Sequence, residues 1–159
     1  ERIVQSSRLN GAILRPTNIF DSRNLAPWLT VSVLNLCLRA REASHLVYKD
    51  DVVAAILFQL ESDDAGVNTY IVSSDDEAGS SVEDVVRLLT GQKAIVRAPL
   101  WVPYLVRLVR DGQANLGNKI YSASKLASAG FKRPYGLKDG LQRSRFEYNQ
   151  YEAERAWSK

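Results

Sequence analysis

Apolar positions along this chain come in short runs that switch between a strand-like and a helix-like spacing. Ala12 to Arg15 is one such run, stopped by Pro16, and it predicts a buried strand leading into a loop. Ser44 to Lys49 alternates as a strand does, and Asn68 to Ser73 is β-branched and aromatic, the make-up of another. Lys93 to Arg97 predicts one more. Between these runs the period lengthens. From Trp28 to Arg41 apolar residues are dense on both sides, the pattern of a well-buried helix. Asp50 stands where it would cap a helix through Leu60, with Val52, Val53, Ile56, Leu57 and Leu60 on the packing face. Ser80 or Ser81 starts the next helix, Ser81 with Asp84 resembling a capping box, and Thr90-Gly91 stops it. Leu100 to Asp111 predicts a helix with Trp101, Tyr104, Leu105 and Leu108 on one face and Arg107 and Arg110 elsewhere. Two more follow, near Ser122–Ala129 and Leu137–Glu154, and Glu1–Arg8 reads as a helix end closed by Asn10-Gly11. Strands interleaved with helices in this way predict an α/β fold with parallel strands, shading into α+β.

Composition adds limits. The 159 residues are 45% hydrophobic and 25% charged, enough for one globular domain with a sizeable core. No apolar run reaches the ~18 to 20 residues that span a bilayer, and the Glu1-Arg2-Ile3-Val4-Gln5 start has no signal-peptide pattern. The absence of Met leads us to expect a truncated or processed product. Cys37, the only cysteine, allows no internal disulfide, and we expect it to be a small buried apolar side chain in a reducing, cytoplasmic compartment. His45 is the only histidine, which excludes multi-histidine metal sites and leaves no evident Ser-His-Asp set. Charge is segregated: residues 42–92 carry two Lys/Arg against eleven Asp/Glu, whereas residues 93–145 carry eleven against two. A basic stretch of this kind suits an anionic ligand, nucleic acid or membrane surface, or simply a solvated face.

Three segments stand where chemistry would. Leu14-Arg15-Pro16-Thr17-Asn18-Ile19-Phe20-Asp21 follows the first strand, and open α/β sheets bind ligands at the carboxyl ends of strands. Pro16 stiffens the strand exit, and the Asn18 amide both donates and accepts, although a strand stop and an Asx-turn use the same residues. In the second segment, Leu46 to Ile56, Asp50 and Asp51 adjoin at a helix start. Such neighbours point apart, so capping and the helix dipole explain them better than an acid–base pair. The third segment is Ser124 to Phe131, a short helix stopped by Gly130, followed by Gly136-Leu137-Lys138-Asp139-Gly140-Leu141. In this order the three resemble the C-terminal half of an extended short-chain dehydrogenase/reductase, the NAD-dependent epimerase/dehydratase family.

The resemblance implies the last parallel strands of a Rossmann-type sheet plus a small mixed α/β substrate-binding lobe over residues 1–159, the dinucleotide-binding part lying ahead of Glu1. It implies NAD or NADP as cofactor, with Pro16 and Thr17 beside the nicotinamide, and a small-molecule substrate, foremost a nucleotide-sugar, touched by Asn18. Arg39, with Arg41, and Arg107, with Arg110, are the candidate grips for its diphosphate, unless the substrate is held otherwise and Arg107 and Arg110 only form the solvated face of their helix. The family's Arg ahead of the second Asp is missing, Ser44 and His45 standing there instead, and Asp21 replaces a customary Gly with a residue that tolerates left-handed geometry. Asp51 is implied to be structural. No catalytic residue is assigned, because Tyr121-x-x-x-Lys125 lies too late in the order to be the family's Tyr–Lys pair and no glycine-rich phosphate turn is present. The parent is expected to be a homodimer, without metal or nucleic acid, and this chain alone inactive. Two alternatives stay open: a hydrophobic alcohol or ketone of steroid or flavonoid type as substrate, and a non-enzymatic module acting through its basic surface.

Overall fold

The computed structural model describes residues 11–62, 67–112 and 119–157. Within them run the strands β1 (Gly11–Pro16), β2 (Asn18–Phe20), β3 (Leu46–Tyr48) and β4 (Val67–Val72). β1 lies parallel to β4, with Gly11 opposite Val67, and β2 lies parallel to β3, with Asn18 opposite Leu46. Mixed α/β structure with parallel strands is therefore present, as the apolar pattern predicts. β1 and β2 are separated by Thr17 alone, and the chain changes neighbour there. The Thr17 N–H donates to the Val72 carbonyl at 3.0 Å, while the next N–H, of Asn18, donates to the His45 carbonyl at 2.7 Å. Past the end of β4, the Ser74 N–H donates to the Leu46 carbonyl at 3.3 Å and ties the two strand pairs together.

β3 is buried on both faces, and alternation sends its side chains into two cores. Leu46 and Tyr48 join Phe20, Leu25, Val85, Leu89, Leu137 and Leu141. Val47 joins Val52, Ala55, Tyr70, Val72, Leu126 and Phe131. The helices are α1 (Ala26–Leu29), α2 (Val33–Arg39), α3 (Lys49–Leu60), α4 (Val82–Thr90), α5 (Trp101–Asp111), α6 (Ser124–Ser128) and α7 (Gly136–Trp157), of which α3, α4, α6 and α7 supply the helical residues of these cores. α4 follows its sequence signals closely. Ser81 Oγ accepts from the Asp84 N–H at 3.1 Å and donates to the Asp84 carboxylate at 2.6 Å, and Gly91 closes the helix at φ +77°.

Several expectations give way. The single buried helix over Trp28–Arg41 is two, α1 and α2, because Thr30 closes the first and Ser32 Oγ accepts from the Asn35 N–H to start the second. Of α2, Leu36 alone is buried, and Cys37 is only half-buried. β1 is paired on one edge among the described residues and is half-exposed, not buried. α3 begins at Lys49, so Asp50 is not its cap. This helix is apolar nearly all round, and it buries Asp51, Val52 and Ala55 while Val53, Ile56, Leu57 and Leu60 stay exposed. α5 likewise turns Pro103 inward and leaves Trp101, Leu105 and Leu108 exposed. Asp21 is extended, at φ −150°, and caps the 3-10 turn Ser22–Asn24, accepting from the Arg23 N–H at 2.9 Å. The expected helix end at Glu1–Arg8 lies outside the described residues.

Lys93–Arg97 is no strand. Its backbone is claimed elsewhere: the Ala94 N–H donates to Glu83 Oε1 at 3.2 Å, and the Ala98 N–H to the Cys37 carbonyl at 3.0 Å. Glu83 also binds the Arg97 guanidinium, which holds its carboxyl below the usual glutamate range against the opposing effect of burial. A carboxyl depressed by folding stabilises the protein above its unfolded value of 4.5 and loses that contribution as pH falls through the folded value. The urea midpoint of the protein should therefore fall below pH 4.5, and Glu83→Gln should flatten that dependence. Parallel curves for the two proteins would contradict the assignment.

Candidate functional site

The change of neighbour at Thr17 opens a cleft of about 390 Å³ at the carboxyl ends of β1 and β4. Arg15, Pro16, Thr17 and Asn18 form one wall, and Ile71, His45 and Tyr121 the rest. Pro16, with no N–H to give, ends the β1 ladder, and the Asn18 side chain is free to face outward because its backbone is already satisfied. The Thr17 hydroxyl is buried without a partner among the described residues.

His45, one of the two residues standing where the resemblance would place an arginine, also lines the cleft. Its Nδ1 lies 2.7 Å from Asp75 Oδ2, and that carboxylate also accepts the Tyr121 N–H at 3.1 Å. The Asp75 side chain is 0% exposed and that of His45 27%. The Asp75 N–H is held by Ser73 Oγ at 3.1 Å, and Ser80 Oγ donates to the Asp75 carbonyl at 2.9 Å. Tyr121 presents its ring edge to His45, centroids 5.2 Å apart. His45 itself sits at φ +54°, the one non-glycine with positive φ among the described residues. Its backbone thus lies in the left-handed region, uncommon for non-glycine residues but entered by His, Asn and Asp more often than by others.

The structure brings Pro16, Thr17 and Asn18 together in this cleft and places Arg39 and Arg107 elsewhere. Both arginines converge on Glu42, which is buried: Arg39 Nε lies 2.9 Å from Oε2, and Arg107 bonds Oε1. They line a separate cleft with Asn35, Leu38, Pro103 and Arg110, and that lining shares no residue with the first. The pattern recurs across the chain. Glu42, Asp76, Glu77 and Glu83 from the acidic stretch pair with Arg107, Arg133 and Arg97 from the basic one, so much of the charge segregation is cancelled within the fold.

Asp51 does not cap its own helix. It accepts the N–H groups of Tyr135 and Gly136 at 3.0 Å each, binding the second motif to the third. Burial pushes its carboxyl above the ordinary 3.8, with those two N–H groups opposing. Tyr48 is pushed up to about 12, by burial first and then by the negative charge of Asp50. Lys125, four residues after Tyr121, turns away to the Thr69 carbonyl at 3.2 Å and Asn68 Oδ1 at 3.3 Å. Among the described residues no three or more of His, Cys, Asp and Glu form a group that could hold a metal ion, and no helix is long and apolar enough to cross a membrane. Comparison with protein-family models, with curated proteins and with solved structures finds no match to this chain.

Proposed function

We propose that the chain is the substrate-binding portion of an NAD(P)-dependent enzyme of the extended short-chain dehydrogenase/reductase type, acting on a nucleotide-sugar as epimerase, dehydratase or reductase. One observation carries the reading: the cleft opens at the carboxyl ends of two parallel strands, the end at which α/β sheets bind dinucleotides and their substrates. β1 is compatible with this, as a half-exposed parallel strand paired on one edge among the described residues.

The residues present fit a nicotinamide. Pro16 offers an apolar wall without a backbone donor, and the Thr17 hydroxyl, without a partner among the described residues, suits a carboxamide. When bound, the nicotinamide would supply hydride exchange at a carbinol carbon. Asn18 would orient the substrate through its amide, and the pyrophosphate cradle and proton-transfer groups would come from polypeptide outside this chain.

The full-length protein should show NAD(P)-dependent turnover of UDP- or dTDP-sugars, and residues 1–159 alone should show none. In the full-length protein Asn18→Ala should raise the substrate Kd about tenfold, the loss of one hydrogen bond in a desolvated cleft. Turnover by the isolated chain, or Asn18→Ala without effect on Kd, would overturn the reading. The engagement of Arg39 and Arg107 by Glu42 favours the second substrate class, because a hydrophobic alcohol or ketone needs no diphosphate grip. Calorimetric titration with UDP, dTDP and a steroid alcohol separates the two. The same pairing removes charge from the basic surface on which a nucleic-acid or membrane module would depend.

A further inference from the structure

We propose that His45 selects the ligand of the Pro16–Asn18 cleft, its Nε2 accepting a hydrogen bond from a hydroxyl of the bound molecule while Asp75 acts as the positioning residue that fixes the imidazole tautomer. This deepens the preceding reading and rests on it for the class of ligand, a sugar or other alcohol.

The argument begins with Asp75. A carboxylate oxygen accepts, and Asp75 Oδ2 faces His45 Nδ1 at 2.7 Å, so this geometry selects the tautomer with its proton on Nδ1 whenever the ring carries a single proton. Nε2 then keeps its lone pair. The inner edge of the ring is held by a carboxylate with no exposure, while the ring is 27% exposed and lines the cleft. Among the described residues no protein group bonds Nε2. An acceptor in the lining of a cleft is open to a donor on a bound molecule, and a hydroxyl is the donor that an alcohol or sugar brings.

The surroundings hold that acceptor at one place. The His45 carbonyl takes the Asn18 N–H, which fixes the histidine backbone to the loop that carries Asn18. The Tyr121 ring limits rotation of the imidazole, and the Tyr121 backbone shares the same carboxylate oxygen. Left-handed backbone at a non-glycine residue is kept only where the surrounding structure over-determines it, and such residues gather at ligand sites. Thr17, in the same wall, has a hydroxyl without a described partner, a second polar group for the same ligand.

A latch that merely joins β3 to the Ser73–Ser81 loop would have the same resting geometry, so the test removes one role and leaves the other. In His45→Asn the amide still donates toward Asp75 and tolerates positive φ, but Nε2 is gone. Nitrogen-15 spectra of the full-length protein with NAD, assigned by what this variant loses, should show protonated Nδ1 and bare Nε2 in the free protein. Saturation with UDP-glucose, dTDP-glucose or a steroid alcohol should move Nε2, whereas UDP alone should not. His45→Asn should keep the urea midpoint and weaken binding of that alcohol about tenfold, while Asp75→Asn, which lets the other tautomer form, should weaken it as well. A free protein with the proton on Nε2, a saturated complex with Nε2 unmoved, or unchanged affinity in His45→Asn each overturns the inference. Binding by none of the three probes overturns both this inference and the proposed function, and binding with Nε2 unmoved overturns this inference alone.

Discussion

Replacing Asp51 with Ala should destabilise the protein by about 2 to 4 kcal/mol, because two backbone N–H groups then lose their acceptor. Asp51 is fully buried, and the groups it receives are the N–H of Tyr135, just ahead of α7, and that of Gly136, the first residue of α7. The next N–H, of Leu137, goes to Glu77 Oε2 at 2.8 Å. Two carboxylates therefore gather three successive donors where the helix dipole favours negative charge. Asp51→Asn keeps one acceptor and adds no unpaired charge, so it should cost less than Ala. The sign of the pH effect is opposite to that at Glu83. Burial raises the Asp51 carboxyl above 3.8, so its contribution is fullest below that value and declines as pH rises through the folded value. Urea unfolding of the wild type and both variants reads all of this. Equal cost for Ala and Asn would mean that the lost contact is not the acceptor.

The second large effect is expected at Gly140, where Ala should cost about 1 to 3 kcal/mol by overpacking. A Cβ there would stand 2.7 Å from Cβ and Cγ of Tyr48 and 3.2 Å from Phe20 Cζ. Neither neighbour can move cheaply. Tyr48 is the last residue of β3, packed against Phe20 at 5.5 Å between ring centroids and edge-on to Tyr135 at 5.6 Å. Gly140 thus lets α7 approach the sheet closely enough for Leu137 and Leu141 to reach the core. A melting temperature equal to the wild type's would contradict this close approach.

Local rules made much of the fold legible. Ser81, Gly91 and Gly130 stand where helix starts and stops require them, and the β-branched stretch after Asn68 forms the predicted strand. Pattern and structure part where an apolar stripe faces solvent instead of a core. Val53, Ile56, Leu57 and Leu60 form a good helical stripe, yet they face outward because α3 uses its other side against β3. Lys93–Arg97 has strand composition, but one buried carboxylate draws its backbone away. At the candidate site, the Pro16–Asn18 loop was readable because strand exits define ligand crevices. The His45–Asp75 pair was not, since 30 residues separate its members and no spacing rule joins them. The only local hint was a lone histidine at the start of a strand, with an acidic loop elsewhere in the chain. Arg39 and Arg107 fitted an anion grip by residue type, while burial of Glu42 gives them an internal partner that sequence alone does not disclose.

Arg133 bonds Asp76, Glu77 and the Ser73 carbonyl, and it is separated from Asp76 by 57 residues of chain. On the ribosome the acidic stretch emerges first and waits for its counter-charges. Phe20 and Tyr48 wait with it, because Leu137 and Leu141 are made later still. A nascent chain halted before Arg133 would hold an uncovered apolar sheet next to a repelling acidic loop, a natural client for a chaperone. Folding of this region should accordingly complete only after its last helix has been synthesised.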